Sequence, residues 1–346
     1  MRIGIDIGGT KTDAVVISDD GRLIERIRLA TGFGADAVVD SAADAIRQLL
    51  ERTGLRLDVV RSVGIGIPGT VDSASGHVSH AVNLGFDTLD LGDALEDRLG
   101  VRVRVENDVK AAALGAYSLL AGPESETSPA SMAYLNLGTG LAAGLVLNGE
   151  LWRGSWGAAG EIGHIPVDPS GALCPCGQRG CLETVASGSG IARQWQTTDA
   201  KPAQSLFAAA DAGDPYAADV RSRFVDGIAS AVRILVLTVD VDTVVIGGGL
   251  SNLGSPLLDA VTAVLTEWAE SSPFIASLDL ARRVELLPEG FPAAAVGAAL
   301  VGVVPGASAG GATSGTGAAT TSTTTGTGTG STDATPALVP TSESSM

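Results

Sequence analysis

The chain contains two copies of one short pattern, in which an apolar strand leads through a glycine- and threonine-containing turn into a second apolar strand. The first copy has a strand at 2–6, a turn at 8–11 and a strand at 14–17; the second has a strand at 132–137, a turn at 138–140 and a strand at 142–147. Because each turn leads into a strand, neither is a Rossmann fingerprint, and no Gly-Lys-Ser/Thr follows at the spacing of a Walker loop. Two hairpins whose backbone N–H groups face each other across a cleft could hold a triphosphate from both sides.

Strand and helix patterns alternate through much of the remaining sequence. Apolar spacing predicts an amphipathic helix over 37–50 and an alanine-rich helix over 109–120. Further strands are predicted at 23–29, 63–67, 101–105 and 243–246, and a further helix at about 256–269. The strand at 243–246 ends in three glycines, 247–249, which would let a flat ring approach the backbone or would form a tight turn without a ligand. With 346 residues the chain is long enough to form two lobes.

A metal site is indicated by one histidine and all three cysteines of the chain, which are His164, Cys174, Cys176 and Cys181. One imidazole and three thiols form a four-ligand tetrahedral set, which suits structural zinc and leaves no open position for catalysis. The alternative is a disulfide plus a free thiol, but Cys174 and Cys176 are too close in sequence to pair comfortably. Two carboxylates flank the cluster at positions 161 and 183 and are not needed by the metal. A zinc-stabilised loop that carries two such acids predicts a substrate pocket.

Composition limits the class of partner. The formal net charge of −17 argues against DNA and other polyanions, which bind through neutralisation of their phosphates. No apolar stretch is long enough to span a bilayer, and the opening Met-Arg-Ile-Gly-Ile-Asp is too short and too acidic for a signal peptide. We therefore expect a cytoplasmic enzyme without a nucleic-acid or membrane partner. From about Gly306 onward the Gly-, Ala-, Ser- and Thr-rich composition predicts a disordered tail; a glycosylated stalk would share it but would need a signal peptide.

Six motifs, in the same order, make the chain resemble the ROK family (repressors, open reading frames and sugar kinases) of the actin-like sugar kinase and heat-shock ATPase superfamily. The motifs are Asp6-Ile-Gly-Gly-Thr-Lys11, Glu106-Asn-Asp108, Leu137-Gly-Thr-Gly140, Gly160-Glu-Ile-Gly-His164, Cys174-Pro-Cys-Gly with Gly180-Cys-Leu-Glu183, and Gly247-Gly-Gly249. The resemblance covers nearly all of residues 1 to about 304 and is strongest toward the bacterial glucokinases of the family.

This resemblance implies an α/β architecture, namely the two-lobed actin-like ATPase (ribonuclease H-like) fold with the active site in the cleft between the lobes. The expected division is a small N-terminal lobe at 1–115, with the first phosphate turn and the catalytic aspartate, and a large lobe at 116–292, with the second turn, the zinc loop and the adenosine motif. A C-terminal helix at 293–304 would return to the small lobe, and 305–346 would be the disordered tail.

The resemblance also implies ATP-dependent transfer of a phosphoryl group, with Mg²⁺, to the 6-hydroxyl of a hexose, glucose being the first choice. Asp108 would be the catalytic base that takes the proton of the attacking hydroxyl. Its position near a helix start is expected to favour the ionised form and make it a weak base, and a plain helix cap is the alternative role. N-acetylmannosamine, N-acetylglucosamine and fructose are alternative substrates. Polyphosphate as the phosphoryl donor would require a basic channel, which an excess of 39 acidic over 22 basic residues disfavours.

The remaining roles follow from the matching motif positions. Sugar-binding positions would be Gly69, Asn83, Asn107, Asp108, Glu161, His164 and Glu183, with a surface carboxylate as the alternative for Glu161. Nucleotide-binding positions would be Asp6, Gly8, Gly9, Thr10, Lys11, Gly138, Thr139, Gly140, Gly248 and Gly249. Asp6 would hold magnesium through water, and Gly248 and Gly249 would lie beside adenine. Lys11 would reach a phosphate or be a solvated turn residue. Zinc would occupy one ring nitrogen of His164 and leave the other for the sugar.

Two other functions use the same motifs. Repressors of the family carry a winged helix-turn-helix segment before the first phosphate motif, and a motif that starts at Asp6 leaves no room for one. A catalytically idle sugar-binding regulator is disfavoured by the intact Asp108 and phosphate turns. The sequence departs from the family at Lys110, where asparagine is common, and at Ala116, where an acidic residue is common; both changes are expected to affect the rim of the site or an interface. Because the fold usually forms dimers, a homodimer or higher homo-oligomer is expected.

Overall fold

The computed structural model describes residues 1–121 and 128–301. The predicted tail, 305–346, and the end of the predicted C-terminal helix, 302–304, lie outside the described residues. Within these ranges the strands are β1 (Arg2–Ile7), β2 (Lys11–Ile17), β3 (Leu23–Ala30), β4 (Ser62–Ile67), β5 (Thr70–Asp72), β6 (His77–Ala81), β7 (Phe86–Asp90), β8 (Val103–Asn107), β9 (Ser131–Leu137), β10 (Leu141–Leu147), β11 (Glu150–Trp152), β12 (Thr243–Gly247) and β13 (Val284–Leu286).

The first five-stranded sheet has the order β3-β2-β1-β4-β8. β1 and β2 form an antiparallel hairpin, whereas β4 and β8 run parallel to β1. A small three-stranded sheet, β5-β6-β7, is inserted between β4 and β8. Because β1 and β8 are parallel, their carboxyl ends lie at the same edge of the sheet, where ligands of α/β proteins usually bind.

The second five-stranded sheet repeats this arrangement with the order β11-β10-β9-β12-β13. β9 and β10 form an antiparallel hairpin, and β12 and β13 run parallel to β9. The two hairpins confirm the duplicated strand–turn–strand pattern. β11 pairs only with Leu145–Leu147 of β10, so the first half of β10 has an edge that loop residues can reach.

The helices in the described ranges are α1 (Ala35–Thr53), α2 (Leu91–Leu99), α3 (Asp108–Leu120), α4 (Gly188–Gln194), α5 (Pro202–Asp211), α6 (Pro215–Val239), α7 (Ser255–Ser271), α8 (Pro273–Ser277) and α9 (Ala293–Val301). The helices predicted at 37–50, 109–120 and 256–269 correspond to α1, α3 and α7. The strand predicted at 101–105 begins two residues later, because Gly100 adopts φ 69° to end α2 and the next residues complete that turn. Helix α6 is not among the helices predicted from the sequence, although Asp214 caps it and Pro215 follows as its first residue.

Each sheet has its own apolar core. The first sheet is covered by α1, which buries Val38, Ala42, Ile46 and Leu49 at helical spacing. The second sheet packs against a core to which α5, α6 and α7 contribute. No helix in residues 1–121 or 128–301 is both long enough and apolar enough to span a lipid bilayer.

Helix α9 follows β13 of the second sheet and packs directly on the first sheet and on α3. A methyl group added at Gly4 of β1 or at Gly64 of β4 would lie 1.9 Å from a carbonyl oxygen of α9. Methyl groups added at Gly115 of α3 and Gly297 of α9 would lie 2.0 Å and 1.7 Å from backbone oxygens of the facing helix. These separations are far inside van der Waals contact, so the close packing requires glycine at all four positions.

We predict that Gly297→Ala lowers the free energy of unfolding by about 1–3 kcal/mol or more, because the added methyl group forces α9 away from α3. Urea unfolding without ligands measures the change. Gly249→Ala is the matched control, because a methyl group there meets no atom within 4 Å and the residue has no positive φ. Equal unfolding midpoints for the two variants would contradict the proposed packing constraint.

Candidate functional site

A cavity of about 380 Å³ lies where the ends of β1 and β8 face β9 and the turn after β12. Its wall includes Asp6, Asp108, Tyr134, Gly248 and Gly249. The structure thus brings together four residues that the sequence assigned to nucleotide binding and catalysis. The two glycine turns, 8–11 and 138–140, do not line this cavity.

Asp6 and Asp108 form an acidic pair in the wall of the cavity. Burial, together with the charges of Asp108 and Asp13, raises the pKa of Asp6 to about 8 against the opposing effect of Arg28. Burial also raises the pKa of Asp108, an effect larger than that of the N–H groups at the start of α3, which lower it. Two neighbouring half-buried acids favour a bound cation, so the pair fits the magnesium role expected for Asp6.

The expectation that the helix start makes Asp108 a weak, ionised base is therefore wrong. Desolvation of the carboxylate outweighs the favourable field of the helix terminus. The charge of Glu161 raises the pKa of Asp108 further, whereas that of Lys110 lowers it. Asp108 thus binds a proton more tightly than an exposed aspartate, which suits a group that must accept one from a hydroxyl.

The cap of α3 is Asn107 and not Asp108. The amide oxygen of Asn107 accepts hydrogen bonds from the backbone N–H groups of Val109 (3.1 Å) and Lys110 (3.2 Å). Its Nδ2 donates to the carbonyl oxygen of Gly69 at 3.2 Å. This contact joins two predicted sugar-binding positions, and it leaves the second N–H of Nδ2 for a substrate. Asp108 is the first residue of the helix, with its carboxylate free of the capping role.

Both glycine turns are closed by a backbone hydrogen bond. Gly8 N donates to Lys11 O at 3.0 Å, and Gly138 N donates to Gly140 O at 3.1 Å. Thr10 and Lys11 are exposed, which is compatible with both roles expected for Lys11. A methyl group added at Gly9 would lie 3.3 Å from the carbonyl oxygen of Asn83, so that predicted sugar residue sits beside the first turn.

The three glycines after β12 have different structural roles. A methyl group at Gly247 would lie 2.3 Å from the Tyr134 hydroxyl oxygen, and one at Gly248 would lie 2.7 Å from Asn136 Oδ1. Gly248 also has φ 82°, which disfavours other residues. Packing against β9 therefore accounts for Gly247 and Gly248. Only Gly249 faces open space, which is the property expected beside a flat ring.

The predicted sugar loop is attached to the accessible edge of β10. Ala143 N donates to Gly160 O at 2.8 Å, immediately before Glu161. Glu183 Oε2 accepts a hydrogen bond from Leu141 N at 3.0 Å, so one oxygen of this carboxylate is already used by the protein. The sequence predicts that Glu183 is an acid not needed by the metal; in the structure it also anchors Leu141, the residue that follows the second glycine turn.

The four predicted metal ligands come together. One donor atom from each of His164, Cys174, Cys176 and Cys181 lies within 4.8 Å of all the others. His164 Nδ1 is 3.8 Å from Cys174 Sγ, and the sulfur atoms of Cys176 and Cys181 are 3.6 Å apart. Ligands about 2.3 Å from a central ion in a tetrahedron lie about 3.8 Å from one another, so the donor set fits zinc. The cysteines are free thiols, as zinc binding requires, and the disulfide alternative is not formed.

A row of three charged side chains, Asp13, Arg26 and Arg28, lies beside Asp6 and is not predicted from the sequence. Asp13 lies opposite both Asp6 and Arg28 across the hairpin strands. Arg26 Nε and Arg28 Nη2 donate to the Asp13 carboxylate at 2.8 Å and 2.7 Å, and all three side chains line the cavity. Arg26 Nη1 also donates to Gly290 O at 2.6 Å. The alternation of Arg26 and Arg28 along one strand was the available signal, because such residues share a face.

Comparisons with known proteins agree with this geometry. A family profile described as the ROK family matches residues 2–301. A glucokinase from Halalkalibacterium halodurans is 34% identical over 278 residues, which cover 75% of this chain and 83% of that protein. An N-acetylmannosamine kinase from Vibrio cholerae is 33% identical over 251 residues, which cover 72% of this chain and 83% of that protein.

Two solved structures have the same fold. The ROK hexokinase from Thermus thermophilus matches with a TM-score of 0.72 and 29% identity, over 87% of this chain and 97% of that one. A ROK family glucokinase from Streptomyces griseus, in complex with glucose and AMPPNP, matches with a TM-score of 0.70 and 32% identity, over 87% of this chain and 98% of that one.

We predict that Asp108→Asn stabilises the ligand-free, magnesium-free protein at neutral pH, raising the melting temperature by about 2 °C or more. An acid whose pKa is raised by folding contributes stability below its unfolded pKa, 3.8 for this residue, and that contribution is lost as pH rises through the folded value. The asparagine amide is neutral and carries no desolvation penalty for a charge. The difference in melting temperature between variant and parent should therefore shrink as the pH is lowered from 8 toward 5. Calorimetry across this range measures it; a variant less stable than the parent at neutral pH would contradict the sign.

Proposed function

Because the chain belongs to the ROK family, we propose that it is an ATP-dependent sugar kinase that transfers the γ-phosphoryl group of ATP to the 6-hydroxyl of glucose. It has the two-lobed actin-like ATPase fold of the ROK sugar kinases. The glucokinase relatives and the glucose- and AMPPNP-bound structure support this pair of substrates. The observation that carries the proposal is Asp108, a half-buried acid with a raised pKa, in one cavity with Asp6 and the open side of Gly249.

The chemistry assigned to Asp108 is proton acceptance from the attacking 6-hydroxyl. Its raised pKa makes it a better base than an exposed aspartate, and its place on the first turn of α3 fixes its direction. Catalysis of phosphoryl transfer requires mainly that the protein position the acceptor hydroxyl and neutralise charge on the phosphates. Of the sugar-side residues, Asn107 and Gly69 are joined by a hydrogen bond, and Asn83 lies against the first glycine turn.

The nucleotide is assigned to the two glycine turns, with its ring near Gly248 and Gly249. Because Gly8 N and Gly138 N close the turns, the phosphates are assigned to the backbone N–H groups of Gly9, Thr10, Thr139 and Gly140. Packing against β9 explains Gly248, so Gly249 is the residue whose backbone is open to the ring. Asp6 would hold magnesium through water. Magnesium bound there would neutralise charge on the phosphates.

Zinc is assigned a structural role. His164, Cys174, Cys176 and Cys181 provide the complete ligand set and leave no position for substrate. Because His164 presents Nδ1 to the cysteines, its Nε2 is the nitrogen available to a sugar hydroxyl. Glu161, His164 and Glu183 would then contact the sugar from a segment that the metal holds in shape, with the second oxygen of Glu183 free for this purpose.

N-acetylmannosamine is the second candidate substrate, because kinases for this sugar are among the relatives at 33% identity. Kinases for N-acetylglucosamine and fructose would use the same motif residues. Differences in the residues that line the sugar pocket would determine which sugar is accepted. The lobe division at 115/116, the return of 293–304 to the small lobe, a cytoplasmic location and a homodimer or higher homo-oligomer remain parts of the proposal.

The first experiment is a coupled assay of ADP release with ATP and magnesium, using glucose, mannose, fructose, N-acetylglucosamine and N-acetylmannosamine. We expect glucose to have the highest kcat/KM. Asp108→Asn should reduce turnover by about 10³-fold or more while glucose affinity, measured by calorimetry, stays within about tenfold, because the amide keeps the shape and loses the proton acceptor. Retained turnover in this variant would remove Asp108 from its role, and preference for another sugar would reassign the substrate.

Cys176→Ala should reduce zinc content and raise the KM for glucose before global unfolding is seen, because loss of one ligand loosens the segment between Glu161 and Glu183. Metal analysis and steady-state kinetics measure the two effects, and the KM for ATP should change by less than about twofold. If metal content and glucose KM both matched the parent, the structural role of the cluster would be refuted.

A further inference from the structure

Two cationic side chains attach the segment 153–160, here called the anchored loop, to the residues on either side of Asp108. Lys110 Nζ donates a hydrogen bond to Gly157 O at 2.6 Å. Arg153 Nε donates to Glu106 Oε2 at 2.6 Å. Lys110 follows Asp108 by two residues and Glu106 precedes it by two, so the contacts bracket the catalytic position.

These contacts matter because apolar packing does not hold the middle of the anchored loop. Residues 155–158 are exposed, and the largest side chain among them, Trp156, is 93% exposed. Within the loop, Ala159 N donates to Arg153 O at 3.1 Å, which closes the segment on itself without attaching it to α3. The contact from Lys110 attaches the exposed part to the catalytic helix.

The two contacts differ in what their loss would do to the protein. Glu106 is almost fully buried and is also bound by Ser73 Oγ at 3.0 Å and by the backbone N–H of Asn107 at 2.9 Å. Removing Arg153 would leave this carboxylate short of its cation, which would destabilise the protein generally. Lys110 is also buried, but its partner is a neutral carbonyl on an exposed loop, so its loss can be local.

The anchored loop leads directly into Glu161. Gly160 O accepts the hydrogen bond from Ala143 N on β10, and Glu161 N donates to Ala158 O at 3.3 Å. The backbone at Glu161 is therefore held by β10 through Gly160 and by the anchored loop through Ala158. The charge of the Glu161 carboxylate reaches Asp108 and raises the pKa of that acid.

We propose that Lys110 is a positioning residue which, by holding the carbonyl of Gly157, fixes the anchored loop, and with it Glu161, relative to Asp108. The ammonium group also places a positive charge near Asp108, which lowers the pKa of that acid. The kinetic part of this inference rests on the proposed sugar kinase activity, whereas the structural part does not.

The test combines hydrogen exchange with kinetics on Lys110→Met, which keeps the length of the side chain and removes its donors. We expect exchange in the peptide covering 153–161 to be about tenfold faster or more, with α1 peptides unchanged. The KM for glucose should rise about tenfold with a fall in kcat, while the KM for ATP stays within about twofold. Lys110→Arg, which retains charge and donors, should restore most of the protection and of the glucose KM.

Lys201→Met is the matched control, because Lys201 is exposed at the start of α5 and should change neither exchange nor kinetics. Unchanged exchange at 153–161 in Lys110→Met would overturn the proposal, as would faster exchange throughout the protein, which would indicate a general structural role. If the parent protein phosphorylated no sugar in the panel, the proposed function would fail, and the exchange experiment would still decide whether Lys110 holds the loop.

Discussion

The site depends on the direct backbone contact of α9 with the first sheet and with α3. Glycines at positions 4, 64, 115 and 297 remove the side chains that would otherwise separate these elements. The contact fixes α3 beside β1, and because Asp108 begins α3 and Asp6 lies near the end of β1, it also sets the spacing of the two acids. A helix held at backbone distance cannot slide by side-chain rearrangement, so the acidic pair gains a rigid frame.

Such a frame is needed because the site concentrates negative charge. Burial raises the pKa values of Asp6 and Asp108; the charges of Asp108 and Asp13 raise that of Asp6 further, and the charge of Glu161 raises that of Asp108. Arg28 opposes the rise at Asp6, and Lys110 opposes it at Asp108. In the proposed reaction, a magnesium ion held at Asp6 and the proton accepted by Asp108 would neutralise this negative charge.

Local patterns in the sequence were sufficient to predict the two hairpins, the helices α1, α3 and α7 and the metal ligands, because alternation, helical spacing and clustered donors are properties of short segments. The features that these local patterns could not predict depend on contacts between residues that are distant in the sequence. Gly247 and Gly248 are explained by Tyr134 and Asn136 on another strand, and the pKa of Asp108 by the burial that the assembled cavity imposes. Lys110 appeared only as a departure from a family pattern, since its partner, Gly157, lies 47 residues away.

Three of the four metal ligands lie within eight residues, and this local origin has a consequence for how the chain would exchange zinc with its surroundings. A peptide carrying three thiols so closely spaced retains affinity for the ion after the fold is lost. Binding to the unfolded chain subtracts from the stabilisation that zinc gives to the folded one. Zinc would therefore contribute more to local order than to the global unfolding equilibrium.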